Sequence, residues 1–168
     1  MKDRIDFFEK NLEKVSSWLQ FAEAKNAAMI AFIVAMLAVI YSFFTNIVML
    51  VILSIVYVIA LIISILSMFS KEDMKVDIKD GVYDEENDNY FYWKHIAKYT
   101  KTDYVDRVCK QFFQDSSDEA VGKQEIMLAE EIITNARIAK YKYKMFGLAT
   151  KVVIVGTVII PVCLIVIA

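Results

Sequence analysis

The sequence predicts an all-α integral membrane protein with three transmembrane helices, a cytoplasmic helical bundle and an oligomeric state. The chain of 168 residues is 58% hydrophobic, more apolar side chain than a soluble fold of this length buries. Charge is absent from two long stretches, Asn26 to Ser70 and Val152 to Ala168. A bilayer core about 30 Å thick takes about 20 apolar residues per helix, so the first stretch holds two spans and the second holds one. All 19 Lys and Arg lie in residues 1–25 or 71–151. Positive residues stay on the cytoplasmic side, which predicts a cytoplasmic N-terminus and a C-terminus across the membrane. The net charge of −2 decides nothing.

Residues 1–25 read as a cytoplasmic amphipathic helix. Ile5, Phe8, Leu12, Val15, Leu19 and Ala22 recur at spacings of three and four, a heptad-like seam with Glu9, Lys10, Glu13 and Lys14 outside it. Three repeats are marginal for a free coiled coil, so packing within the subunit is favoured over self-association. The dense charge of "MKDRIDFFEKNLEKVSSW" leaves no apolar core for a signal peptide, and no cleavable leader is expected.

Residues 26–70 form the transmembrane hairpin, broken at Ser42 to Asn46, "SFFTN". Ala27, Ala31 and Ala35 give the first span a small-xxx-small spacing that allows close helix contact. Thr45, Asn46, Ser54 and Ser64 are the candidate pore or helix-contact residues, and ordinary helix contacts explain such serines more often than pores do. No charge lies mid-membrane, so an ion-coupled transporter lacks its usual parts. Three thin spans enclose no lumen, and any pore must form between subunits.

Residues 71–116 are a cytoplasmic loop and short helices. The acidic "KEDMKVDIKDGVYDEENDN" suits a loop with an extended piece at Met74 to Ile78 and a turn at Asp80-Gly81. Two short helices follow, Tyr90 to Tyr99 and one from Thr102, the second with Val105, Val108 and Phe112 on one face. Residues 117–146 are the long cytoplasmic helix, with a capping box at Ser116 and Glu119. Its acids come early and its bases late, as the helix dipole favours, and Ala129, Ile133, Ala136 and Tyr143 mark a stripe. Residues 147–168 are the third span, kinked at Pro161. Nothing breaks the chain between these last two segments, so one long helix is expected, with Gly147 as a joint.

An enzyme reading fares badly. His95 is the single histidine, and no Cys or carboxylate stands near it at a metal-like spacing. No GxSxG, P-loop or HExxH pattern occurs. Cys109 and Cys163 read as free thiols. No catalytic residue, metal site or cofactor is expected.

The cations are a harder case. Lys94, Lys98, Lys101, Arg107 and Lys110 interleave with His95, Tyr99 and other aromatics, while Arg137, Lys140, Lys142 and Lys144 crowd the end of the long helix. A solvated face explains the first cluster and headgroup anchoring the second, and for each cluster alone these readings are favoured. Joined, the clusters supply the cations and aromatic faces that suit a nucleotide ligand. Lys94, His95, Lys98, Tyr99, Lys101, Arg107, Lys110, Arg137, Lys140 and Lys144 are that candidate site. Glu23, Lys25 and Asn26 form a membrane-boundary motif. Glu23 is expected to pair locally with Lys25, or with Arg137 or Lys140; a brace between helices and a snorkelling anchor explain the motif equally.

"WLQFAEAKNAAMIAF" resembles the entry into the first span in the Pycsar effector transmembrane family. "NYFYWKHIAK" and "QEIMLAEEIITNARIAKYKYKMFGLATKV" are similar to that family's later segments, and the likeness covers nearly the whole chain. The layout is also similar to the SLATT families and to the membrane effectors of Hailong systems. The resemblance implies a bacterial inner-membrane effector of antiphage defence that acts by abortive infection. Its signal would be a nucleotide made by a partner nucleotidyltransferase or cyclase: a cyclic pyrimidine mononucleotide in Pycsar systems, a short DNA oligomer in Hailong systems. No β-rich cyclic-nucleotide-binding domain is visible, so the sensor must be built from the cytoplasmic helices. The expected function is a nucleotide-gated homo-oligomeric ion channel that depolarises the membrane. The alternative is a membrane scaffold that recruits a cytoplasmic partner.

Overall fold

A computed structural model describes residues 2–69, 83–84, 87–113 and 121–167. The elements are α1 (Lys2–Phe43), α2 (Ile47–Met68), α3 (Trp93–Ile96), α4 (Lys101–Val108), a π-helical turn (Cys109–Phe113) and α5 (Lys123–Ile167). No strand occurs among the described residues. The extended piece at Met74 to Ile78, the turn at Asp80-Gly81, the capping box at Ser116 and Glu119 and the helix start at 117 lie outside them.

Three helical stretches are long and apolar enough to cross a membrane: Asp3–Phe43, Ile47–Met68 and Lys123–Ile160. α1 has no Gly or Pro anywhere in its 42 residues, so the charged segment and the first span form one continuous helix. α5 likewise runs unbroken through Gly147. The break between α1 and α2 falls at residues 44–46. Asn46 caps α2, its Oδ1 accepting from Val48 N at 3.0 Å and Met49 N at 3.4 Å.

The chain divides into two compact units, residues 1–21 with 71–140 and residues 22–70 with 141–168. The second is the membrane unit. Ile33, Ile40, Phe44, Leu53, Tyr57, Ala60 and Val153 form its core. Outward along α2 stand Val51, Ile55, Val58, Ile62 and Ile65, all exposed, while Tyr57, Ser64 and Ser67 are buried. Apolar outside with polar groups inside is the arrangement a lipid solvent selects. Ala27, Ala31 and Ala35 of the small-residue stripe are exposed.

The buried apolar residues of the first unit are Phe8 and Val15 of α1, Ile96, Tyr99, Tyr104, Val108 and the α5 residues Ala129, Ile132, Ile133 and Ala136, with the Phe8 ring edge-on to Tyr104. The buried seam of α1 departs from the expected one. Ile5, Leu12 and Leu19 are only half-buried, and Arg4 and Asn11 take core positions. Both have polar partners there. Arg4 pairs with the buried Glu125 at 3.0 Å, and Asn11 donates to Tyr90 O at 2.9 Å and also bonds the Tyr104 hydroxyl.

Candidate functional site

The charged unit gathers polar side chains around Asp88, at the entry to α3. Lys98 Nζ donates to Asp88 Oδ1 at 2.5 Å and the Tyr99 hydroxyl donates to Oδ2 at 2.8 Å. The Asp84 N–H reaches Oδ2 at 3.1 Å. His95 Nδ1 stands 3.5 Å from Asp88 Oδ1 but accepts from the Asn89 N–H at 2.9 Å, which places the neutral ring's proton on Nε2. Burial pushes the Asp88 carboxyl upward, and the bonds from Lys98, Asp84 N–H and Tyr99 outweigh it, so its pKa lies below the ordinary aspartate value. Burial and the bond to Asp88 raise the Tyr99 phenol, which keeps its proton and donates. Tyr83 stacks on Tyr99 with ring centroids 4.4 Å apart.

Two local devices hold this loop. Arg137 of α5 is buried; its Nε donates to Ala97 O and its terminal nitrogen to Tyr99 O, each at 3.1 Å. These are carbonyls at the end of α3, which no turn of helix satisfies. Thr100 caps α4, its Oγ1 accepting from Asp103 N at 3.2 Å.

Of the ten residues marked for a nucleotide, the structure brings His95, Lys98 and Tyr99 together on Asp88, with Arg137 behind them on the main chain. Lys101 pairs with Glu130 at 3.5 Å, and Lys110 with Asp106 at 2.8 Å. Lys94 is exposed, and Arg107 and Lys140 are half-buried. Lys144 is exposed in the membrane unit. Asp88 was missed because it is one of several acids in "DEENDN" and no spacing sets it apart. Asn11 had a signal, a polar residue recurring on a heptad seam. Among the described residues no group of His, Cys, Asp and Glu could hold a metal ion.

In the membrane unit the boundary residues converge. Glu23 pairs with Lys142 at 3.1 Å, where Lys25, Arg137 or Lys140 was the expected partner. Helical register is the reason, because it sets Lys142 facing α1 with its side chain only 4% exposed. Lys25 lies over the rings of Tyr143 and Phe146, at 5.4 and 5.6 Å. Asn26 donates to Ser67 Oγ at 2.8 Å. Of the other span residues marked from sequence, Thr45 and Asn46 are exposed at the hairpin break. Ser64 donates to Ala60 O of its own helix at 2.9 Å, and Ser54 is half-buried.

A family model described as the Pycsar effector protein domain matches residues 7–168. No curated protein and no solved structure matches the chain. The family's effectors respond to a cyclic nucleotide signal. With three described helices long and apolar enough to cross a membrane and a match over nearly its whole length, the chain belongs to the Pycsar effector family, which makes it a membrane effector of antiphage defence.

Proposed function

We propose that the protein is a homo-oligomeric ion channel of the bacterial inner membrane, gated by a cyclic mononucleotide that a partner cyclase makes. It acts by permeation rather than catalysis, and the nucleotide is a regulatory ligand, not a cofactor. The N-terminus and the charged unit face the cytoplasm, where the charged unit forms a helical bundle, and the C-terminus faces the periplasm. The observation that carries this reading is continuity: α1 and α5 each belong to both units without a break. A change of helix position caused by ligand in the charged unit therefore reaches two of the three spans with no linker to absorb it.

The loop around Asp88 is the proposed sensing element. A ligand phosphate competes with Asp88 for the Lys98 ammonium, with Lys94 and Lys101 close by in sequence, and Tyr99 is released from the same carboxylate. Arg137, which holds the Tyr99 carbonyl, carries the change to α5. Channels of this kind form between subunits, since three helices enclose no lumen.

The test is ion flux through the purified protein in liposomes, with and without cyclic pyrimidine mononucleotides and short DNA oligomers. Flux that depends on a cyclic mononucleotide is expected. Dependence on a DNA oligomer instead would reassign the ligand. No flux from folded, inserted protein would point to a membrane scaffold.

A further inference from the structure

Glu23 and Lys142 line a cleft of about 380 Å³ in the membrane unit, together with Ala24, Asn26, Ala27 and Met68. Its position along the chain is informative. Glu23 and Lys25 are the last charges before the apolar run, and Met68 ends α2. Headgroups of a bilayer lie where such runs stop.

The chemistry of the walls is specific. Lys142 has lost nearly all contact with water, its side chain being 4% exposed, while its partner Glu23 is 53% exposed. Asn26 is 1% exposed. Its Nδ2 is used on Ser67, whereas Oδ1 is buried with no hydrogen-bond partner. Turning the amide over exchanges its two ends and still leaves one of them unpartnered. A buried amide end without a bond costs about 1–3 kcal/mol, so the Asn26 amide at the wall of the cleft lacks a partner that a ligand there would supply.

We propose that this cleft binds the headgroup of an aminophospholipid of the phosphatidylethanolamine type. The phosphate accepts from the Lys142 ammonium. The primary ammonium donates to Glu23 and, after a small rotation of the amide, to Asn26 Oδ1. One negative and one positive side chain make the walls neutral in sum, which suits a zwitterion. The acyl chains leave past Ala27 and Met68, both exposed and apolar. A choline headgroup has no N–H to give, and a glycerol headgroup brings no cation to Glu23. The site needs only the membrane insertion of the chain and is independent of any nucleotide gating.

The full-length protein is reconstituted in vesicles of equimolar phosphatidylethanolamine, phosphatidylcholine and phosphatidylglycerol, then re-extracted, and its retained lipid is read by native mass spectrometry. Retained phosphatidylethanolamine is expected several-fold above either other lipid. Asn26→Leu and Lys142→Met should bring the retained ratio to that of the vesicle. Glu23→Gln, a change at a half-exposed side chain, should lower the preference over phosphatidylcholine while circular dichroism and elution volume stay those of the wild type. Added soluble glycerophosphoethanolamine should leave the retained lipid in place. Equal retention of the three lipids by the wild type would overturn the proposal, as would an unchanged preference in Glu23→Gln. Displacement by the soluble headgroup would overturn the lipid as its source.

Discussion

Gly156 of α5 lies against the ring of Tyr57 on α2. A Cβ added there would come within 3.0 Å of Tyr57 Cε2 and of Val56 Cγ1. Beside this contact the Tyr57 hydroxyl meets Thr157 Oγ1 at 3.0 Å. Thr157 gives its own proton to Val153 O at 2.9 Å, so Tyr57 is the donor between the helices. Glycine at 156 is what lets α5 approach closely enough for that bond.

Gly156→Ala is expected to cost about 1–3 kcal/mol, the usual range for overpacking a filled core, and Gly156→Leu more. Tyr57→Phe should cost about 0.6 kcal/mol, the average for an interhelical bond in a membrane. Thermal unfolding in detergent, followed by circular dichroism, measures both. An undisturbed Gly156→Leu would mean that α2 and α5 do not pack at this register.

Arg4 and Glu125 face each other at 3.0 Å with side chains 5% and 1% exposed. Glu125 also accepts from the Gly122 N–H at 2.6 Å and so caps the start of α5. Removing Arg4 leaves the Glu125 carboxylate buried without this cation, and removing the Glu125 charge takes a buried partner from Arg4. Arg4→Met or Glu125→Gln is therefore expected to cost about 3 kcal/mol or more, and the double variant less than the sum of the two. A double-mutant cycle with an interaction energy near zero would show that the pair is not coupled.

Arg137 bonds two carbonyls with two different nitrogens of one planar group. Lysine cannot reproduce that fork. Arg137→Lys should lower the melting temperature, because charge-assisted bonds are worth about 1.5–3 kcal/mol each. If the proposed sensing loop is right, it should also weaken nucleotide-dependent flux, whereas Lys10→Gln, a change at an exposed side chain of α1 outside the candidate site, should leave both nearly unchanged.

Asp88 sets a pH dependence. Its folded pKa lies below its unfolded value, so the carboxylate's contribution is fully present above the unfolded pKa, about 3.9. It is lost as pH falls through the lower folded value. Acid unfolding between about pH 4 and the folded pKa should therefore be steeper in the wild type than in Asp88→Asn, which starts less stable at neutral pH. Parallel acid-unfolding curves for the two proteins would remove Asp88 from this role.

The sequence by itself determined the membrane class, the three spans, the break before Asn46 and the placement of charge, because hydropathy, caps and breakers act between near neighbours. It also carried the continuity of α5, since nothing between Lys123 and Ile160 stops a helix. Only the tertiary structure decided which polar groups are buried. Asn11 finds Tyr104, Asp88 gathers Lys98 and Tyr99, and Glu23 takes Lys142 because α1 and α5 meet in one register. That register joins residues far apart in the chain, and a shift of one residue would turn each partner away. Polar pairing of this kind is a long-range property, and local pattern does not encode it.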